Sequence, residues 1–216
     1  MTTSTRWTLV VLAVAAALIV AFALELEDTP AGPSSSAGTQ VSRTHRDADT
    51  PEALAGPRQR AELPPCPAAA DNPGPKELRG IVVECAADGA NVDVARALAG
   101  RPVVLNLWAY WCGPCAEELP AMADYQRRVG SDVSVVTVHQ DENETAALLR
   151  LADLGVHLPT LQDGRRLIAA ALKVPNVMPA TVVLRSDGSV AAVLPRSFSS
   201  AEEIAAAVDP RIGAAG

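Results

Sequence analysis

The chain predicts an α/β fold in which a mixed central sheet is flanked by helices, and three observations carry that prediction. From residue 66 onward, short runs of Val, Ile and Leu alternate with segments of helical pattern. One run, Val103 to Trp108, passes into a helix through Trp111-Cys112-Gly113-Pro114-Cys115. Two later runs face each other across Asp187-Gly188, a strong hairpin signal.

Taken in order, Trp7 to Leu24 is an apolar run of 18 residues without charge, Gly or Pro. As a helix it rises about 27 Å, close to the hydrocarbon thickness of a bilayer. Arg6 precedes it, and Glu25, Glu27 and Asp28 follow, which predicts an N-in, C-out orientation. Residues 1–27 are therefore expected to form a single-pass transmembrane helix at the cell membrane. Ala21-Phe22-Ala23 has the form of a cleavage site, so a removed signal segment, giving a secreted protein, is the competing reading. Both place the rest of the chain outside the cytoplasm. Residues 28–65 carry Pro30, Pro33, Ser34 to Ser36, Pro51, Pro57, Pro64 and Pro65 without apolar periodicity, and read as a disordered or extended linker.

Residues 66–212 form the expected domain. Ile81 to Cys85 reads as a strand and Val92 to Leu98 as a short helix before Gly100. Val103 to Trp108, VVLNLW, is a buried strand, followed by a helix from Pro114 to Val129. Val133 to His139 is another buried strand, and Glu142 to Leu154 a helix closed by Gly155. The hairpin pairs Thr181 to Arg185 with Ser189 to Leu194; Ala201 to Val208 is a last helix capped by Ser199 or Ser200. Aromatics are only 3% of the chain, so the core is built from Ala, Val, Leu and Ile, and a covalent staple adds usefully to it. The net charge of −7 argues against a nucleic-acid partner, which needs a basic surface.

The chemistry lies in Cys112 and Cys115. Two intervening residues let the sulfurs meet across one helical turn. Cys112 opens the helix, where free N–H groups and the dipole stabilise a thiolate able to attack a disulfide. Cys115 then resolves the mixed disulfide. Pro114 fits the first turn, where its missing N–H costs nothing. A zinc site would require all four cysteines to converge, which an exported chain with a helix-opening pair disfavours. A c-type haem site needs His where Ala116 stands. No metal or other cofactor is expected.

The stretch VVLNLWAYWCGPCAEELP resembles the thioredoxin superfamily, and specifically its exported TlpA/ResA-like branch, over roughly Leu78 to Asp209. The branch assignment rests on Asn106, on Glu118-Leu119-Pro120 and on the N-terminal anchor. The resemblance implies a thioredoxin-like fold and a membrane-anchored thiol–disulfide oxidoreductase. Asn106 stands where cytoplasmic thioredoxins carry a buried Asp, and Glu118 resembles the branch's acidic residue below the active site, a proton acceptor for Cys115. Glu117 beside it reads as solvated, and Pro120 resembles the kink proline of the active-site helix. The fold implies a cis-proline facing the cysteines. Pro179 is expected there, with the Met178 backbone beside substrate. Pro159 is the rival, set aside because Gln162-Asp163-Gly164 reads as a turn and not a strand. The family's usual Thr after the cis-proline is Ala180 here. Trp108 and Trp111 are expected to pack beside the site, with Tyr110 on the substrate surface, whereas His45, His139 and His157 read as structural or solvated.

Cys66 and Cys85, exported and 19 residues apart, are expected to form a structural disulfide contributing about 3 kcal/mol. The alternative is a redox relay to Cys112–Cys115. The function expected is reduction of disulfides in exported proteins, apocytochrome c among the targets the resemblance implies, with electrons supplied by a membrane protein. A disulfide-donating oxidase and a non-catalytic binding module are the alternatives.

Overall fold

The computed structural model describes residues 49–213. The anchor or signal expected over residues 1–27, the first part of the linker and His45 lie outside the described residues. Among the described residues, no helix is long and apolar enough to cross a membrane.

The elements are α1 (Pro51–Ala61), a 3-10 turn (Lys76–Leu78), β1 (Val82–Cys85), β2 (Asn91–Asp93), α2 (Val94–Ala97), β3 (Val103–Trp108), α3 (Gly113–Val129), β4 (Ser134–His139), α4 (Glu144–Leu154), β5 (Thr160–Gln162), α5 (Leu167–Ala171), β6 (Ala180–Leu184), β7 (Val190–Leu194) and α6 (Ala201–Ile212). The strands form one mixed sheet in the order β2-β1-β5-β4-β3-β6-β7. β4 runs parallel to β3 and β5, while β6 is antiparallel to β3 and to β7. A parallel pair needs a crossover, and α3 and α4 supply two in succession.

β3 is buried at every position, which explains why all its residues but Asn106 are apolar. Its alternate side chains enter different cores. Val104 and Trp108 pack with Leu119, Met122 and Tyr125 of α3, Leu151 of α4 and Ile204 and Val208 of α6. Val103, Leu105 and Leu107 pack on the other face with Val94 and Ala95 of α2 and Ile168 of α5. The result is a three-layer sandwich with the active-site helix on the first face.

Four local readings are corrected. The stretch read as linker contains α1. Thr50 caps it by accepting from the Ala53 N–H at 3.2 Å, Pro51 opens it, and Leu54 and Ala61 are buried against Ala86 and Leu148. Arg58 donates to the Ala86 carbonyl at 3.2 Å and to Glu144 at 2.9 Å. With two buried apolar contacts and an internal Pro57, α1 depends on the surface it docks against, and no periodicity announces it. Val92 and Asp93, read as the start of a helix, belong to strand β2, which pairs with β1. Thr160–Gln162, read as leading into a turn, is strand β5, held between β4 and β1. In the hairpin, Gly188 donates to the Arg185 carbonyl at 2.9 Å, so Ser186 and Asp187 form the turn and Gly188 follows it in left-handed conformation at φ +84°. Asp187 holds that geometry by accepting from the Ser189 N–H at 2.8 Å.

Candidate active site

β3, an interior strand, delivers the chain to the end of the sheet where its C-terminus lies, and Ala109 to Trp111 turn it into α3. The Cys112 N–H closes that turn on the Ala109 carbonyl at 3.0 Å. Cys112 is the cap of α3, and its sulfur accepts from the Cys115 N–H at 3.2 Å. The cap position gives the sulfur the free donors and the positive end of the helix dipole, both of which favour a thiolate over a thiol. The two sulfurs are bonded, with Cα atoms 5.2 Å apart. Cys115 is completely buried, while Cys112 retains 6% exposure. An incoming disulfide therefore meets Cys112 first.

Glu118 lies one turn beyond Cys115 and is fully buried. Asn106 of β3 donates Nδ2–H to Glu118 Oε2 at 2.6 Å, and the Phe198 N–H donates to Oε1 at 3.0 Å. Burial raises the carboxyl to about 7, against the lowering influence of Asn106, the Phe198 amide and Arg196. The acid is thus poised to exchange a proton near neutral pH. Glu117 is exposed, and Pro120 lies inside α3, which continues to Val129.

The Met178–Pro179 peptide bond is cis, and it precedes β6. Met178 packs against the same core cluster as Cys112 and Cys115. The ground for setting Pro159 aside fails, since a strand does follow it, but the cis bond is at Pro179. Trp108 is buried in the cluster that holds the sulfurs, whereas Trp111 is 57% exposed and donates Nε1–H to Asp141 Oδ2 at 3.0 Å. Tyr110 is half-buried against that cluster. His157 bonds the Ala61 carbonyl at 3.0 Å, a structural contact to α1. His139, fully buried at the end of β4, and Gln162 and Asp141 nearby were not singled out from sequence for this site.

Cys66 and Cys85 form the second disulfide, with Cα atoms 5.8 Å apart. Both pack into the core on the opposite face of the sheet from Cys112 and Cys115. The four cysteines therefore do not converge, and the sheet separates the two bonds. A cleft of about 540 Å³ runs past Glu84, Glu144 and Asp163, but neither disulfide lines it.

The Redoxin family model matches residues 66–207. The thiol–disulfide oxidoreductase ResA of Bacillus subtilis (strain 168) is 33% identical over 98 residues, 45% of this chain and 54% of that protein. Thioredoxin 1 of Synechococcus elongatus is 34% identical over 79 residues, 35% of this chain and 70% of that protein. The chain thus spans about half the length of ResA. Among solved structures, a DsbF homologue from Corynebacterium diphtheriae superposes with TM-score 0.54 at 26% identity, covering 66% of this chain and 91% of that one. A secreted thiol-disulfide isomerase from Corynebacterium glutamicum shares the fold, with TM-score 0.55 at 24% identity over 62% of this chain and 84% of its own.

Proposed function

We propose that this chain, which belongs to the Redoxin family, is a thiol–disulfide oxidoreductase that reduces the disulfides of exported proteins through Cys112 and Cys115. The observation that carries the reading is the pairing of a helix-capping sulfur at the surface with a buried partner one turn above a buried acid. In the reduced enzyme, the Cys112 thiolate attacks a substrate disulfide, forms a mixed disulfide and expels one substrate thiolate. Cys115 loses its proton to Glu118 and attacks Cys112. The second substrate thiolate leaves, two electrons have passed to substrate, and the Cys112–Cys115 disulfide remains. Trp111, Met178 and Pro179 line the substrate side, with the Met178 backbone offered to an extended segment as an added strand.

The direction follows from Glu118. A carboxylate beneath the pair raises the thiol pKa by like-charge repulsion, which weakens the thiolate form and favours a reductant. A membrane protein supplies the two electrons that restore the dithiol. The apolar run Trp7 to Leu24 anchors the domain outside the cytoplasm, where apocytochrome c and other exported thiol proteins are the target class.

The deciding measurement is the reduction potential of the Cys112–Cys115 couple. A value well below that of the compartment supports the reductase; one near or above it makes the chain a disulfide donor. Cys115→Ser is expected to accumulate mixed disulfides. Capture of none, with no insulin reduction by the wild-type protein, would leave only a binding module. Retention of the full chain on membranes through carbonate washing, with the domain open to protease from outside, tests the anchor against a cleaved signal.

A further inference from the structure

We propose that His139 is a positioning residue for substrate engagement, tying the two residues that precede Cys112 to the ends of β4 and β5. Parallel pairing sets His139 beside Trp108, with ring centroids 5.0 Å apart. Trp108 is the last residue of β3, so the imidazole lies directly under the turn that leads to Cys112.

A circuit of hydrogen bonds defines what the ring does there. Gln162 donates Nε2–H to the Asp141 carbonyl at 2.7 Å, which orients its amide and leaves Oε1 as an acceptor. His139 Nδ1 lies 2.8 Å from that Oε1, so Nδ1 carries the proton. Nε2 is then a bare acceptor, and the Tyr110 N–H points at it from 3.4 Å. Asp141 closes the circuit from the other side. Its Oδ2 accepts the Trp111 indole N–H at 3.0 Å, while its Oδ1 accepts the Asn143 N–H at 2.9 Å. Tyr110 and Trp111 are thereby held by one network centred on His139 and Gln162. Among the described residues none of its members hydrogen-bonds to Glu118, whose partners are Asn106 and the Phe198 amide, so substrate positioning and proton transfer are separately supported.

The device depends on a neutral imidazole. Burial holds His139 below the ordinary histidine range, although Asp141 and Asp49 face it with negative charge; Tyr110 also faces it, with ring centroids 6.1 Å apart. A second proton would set an N–H on Nε2 against the Tyr110 N–H and open the circuit.

The inference rests on the oxidoreductase reading and on Trp111 facing substrate, so the experiment separates the three. In wild-type protein, ¹⁵N resonances of His139 should show Nδ1 protonated and Nε2 bare at neutral pH. His139→Leu should shift the Tyr110 amide and Trp111 indole signals and raise KM for insulin about tenfold, the worth of one or two hydrogen bonds. Turnover of a small disulfide, bis(2-hydroxyethyl) disulfide, should stay at the wild-type level. His139→Gln, whose amide oxygen reaches the Nε2 position, should recover most of the insulin KM. Wild type should show an acid-side rise in the insulin-to-small-disulfide KM ratio, and His139→Gln should abolish it. Gln162→Leu should weaken insulin binding, and adding it to His139→Leu should do no further harm. An Nε2-protonated tautomer, or equal losses on both substrates, would overturn the proposal. Wild-type protein inactive on both substrates would instead overturn the oxidoreductase reading, and the spectra would still decide the role of His139. If the tautomer and both signal shifts are found while insulin KM is unchanged, Trp111 does not face substrate and the proposal falls.

Discussion

Cys112–Cys115 and Cys66–Cys85 join the same atoms, yet they occupy opposite faces of one sheet and very different surroundings. Each has a sulfur accepting a backbone N–H at 3.2 Å, so that contact does not tell them apart. What differs is the supporting structure. Cys112 caps a 17-residue helix, its partner sits one turn above a buried acid, and an exposed Trp stands beside it. Cys66 lies between Pro65 and Pro67 in irregular chain, and Cys85 ends a four-residue strand. Neither caps a helix, and among the described residues no carboxylate hydrogen-bonds to either. On the proposed function, the first bond opens in turnover and the second holds the segment entering β1. Reactivity belongs to the environment of the sulfur and not to its pairing.

The sharpest test of the contrast is to break each bond by substitution. Cys112→Ser should abolish insulin-disulfide reduction. Cys66→Ser with Cys85→Ser should leave the folded fraction close to wild-type turnover. Loss of turnover with retained fold in the second variant would make Cys66–Cys85 a relay and erase the distinction.

Glu118→Gln comes next. Without the acid, release of the mixed disulfide should slow on the order of a hundredfold, read by quenched-flow trapping. Thiolate absorbance should report a lower pKa for the pair. The fold should survive, because Asn106 Oδ1 has no partner among the described residues and can accept from the new amide after a flip. The same variant changes the pH dependence of stability. Glu118 rises from 4.5 unfolded to about 7 folded, so the native state binds more protons between those values. Its contribution is most favourable below about 4.5 and is lost as pH rises through 7, a difference of about 3 kcal/mol. Denaturant titrations at pH 4.5 and pH 8 should show that loss in wild type and not in the Gln variant.

Removing the Cys66–Cys85 bond should lower stability by about 3 kcal/mol, from the closure of a 19-residue loop. The smallest effect is at α1. Arg58→Ala leaves Glu144 buried without its cation and should cost about 2 kcal/mol in urea unfolding, with turnover unchanged. A larger loss of turnover than of stability would extend the active site to α1.

The legible part of the molecule is the part whose signal is local. β3 announces itself because both its faces are buried, and the cysteine spacing announces the turn after it. Pro179 and Glu118 both follow from the resemblance, and Glu118 also stands one helical turn from Cys115. The partners were harder. Asn106 lies 12 residues from Glu118, but Phe198 lies 80 away and contributes a backbone N–H that no residue type marks. The His139 circuit joins residues 23 apart through strand register, which requires knowing that β4 pairs with both β3 and β5. Helix α1 was missed because docking on α4, not its own pattern, holds it.

The placement of Trp108 and Trp111 has an optical consequence. A disulfide quenches a nearby excited indole by accepting an electron from it, and a dithiol does so far less. Both rings stand within four residues of Cys112, one sealed in the core and the other open to water. Shielded indole emits toward the blue and hydrated indole toward the red. Reduction should therefore brighten the protein in two colours, and the balance between them would follow substrate arriving over Trp111 during turnover, without any added dye.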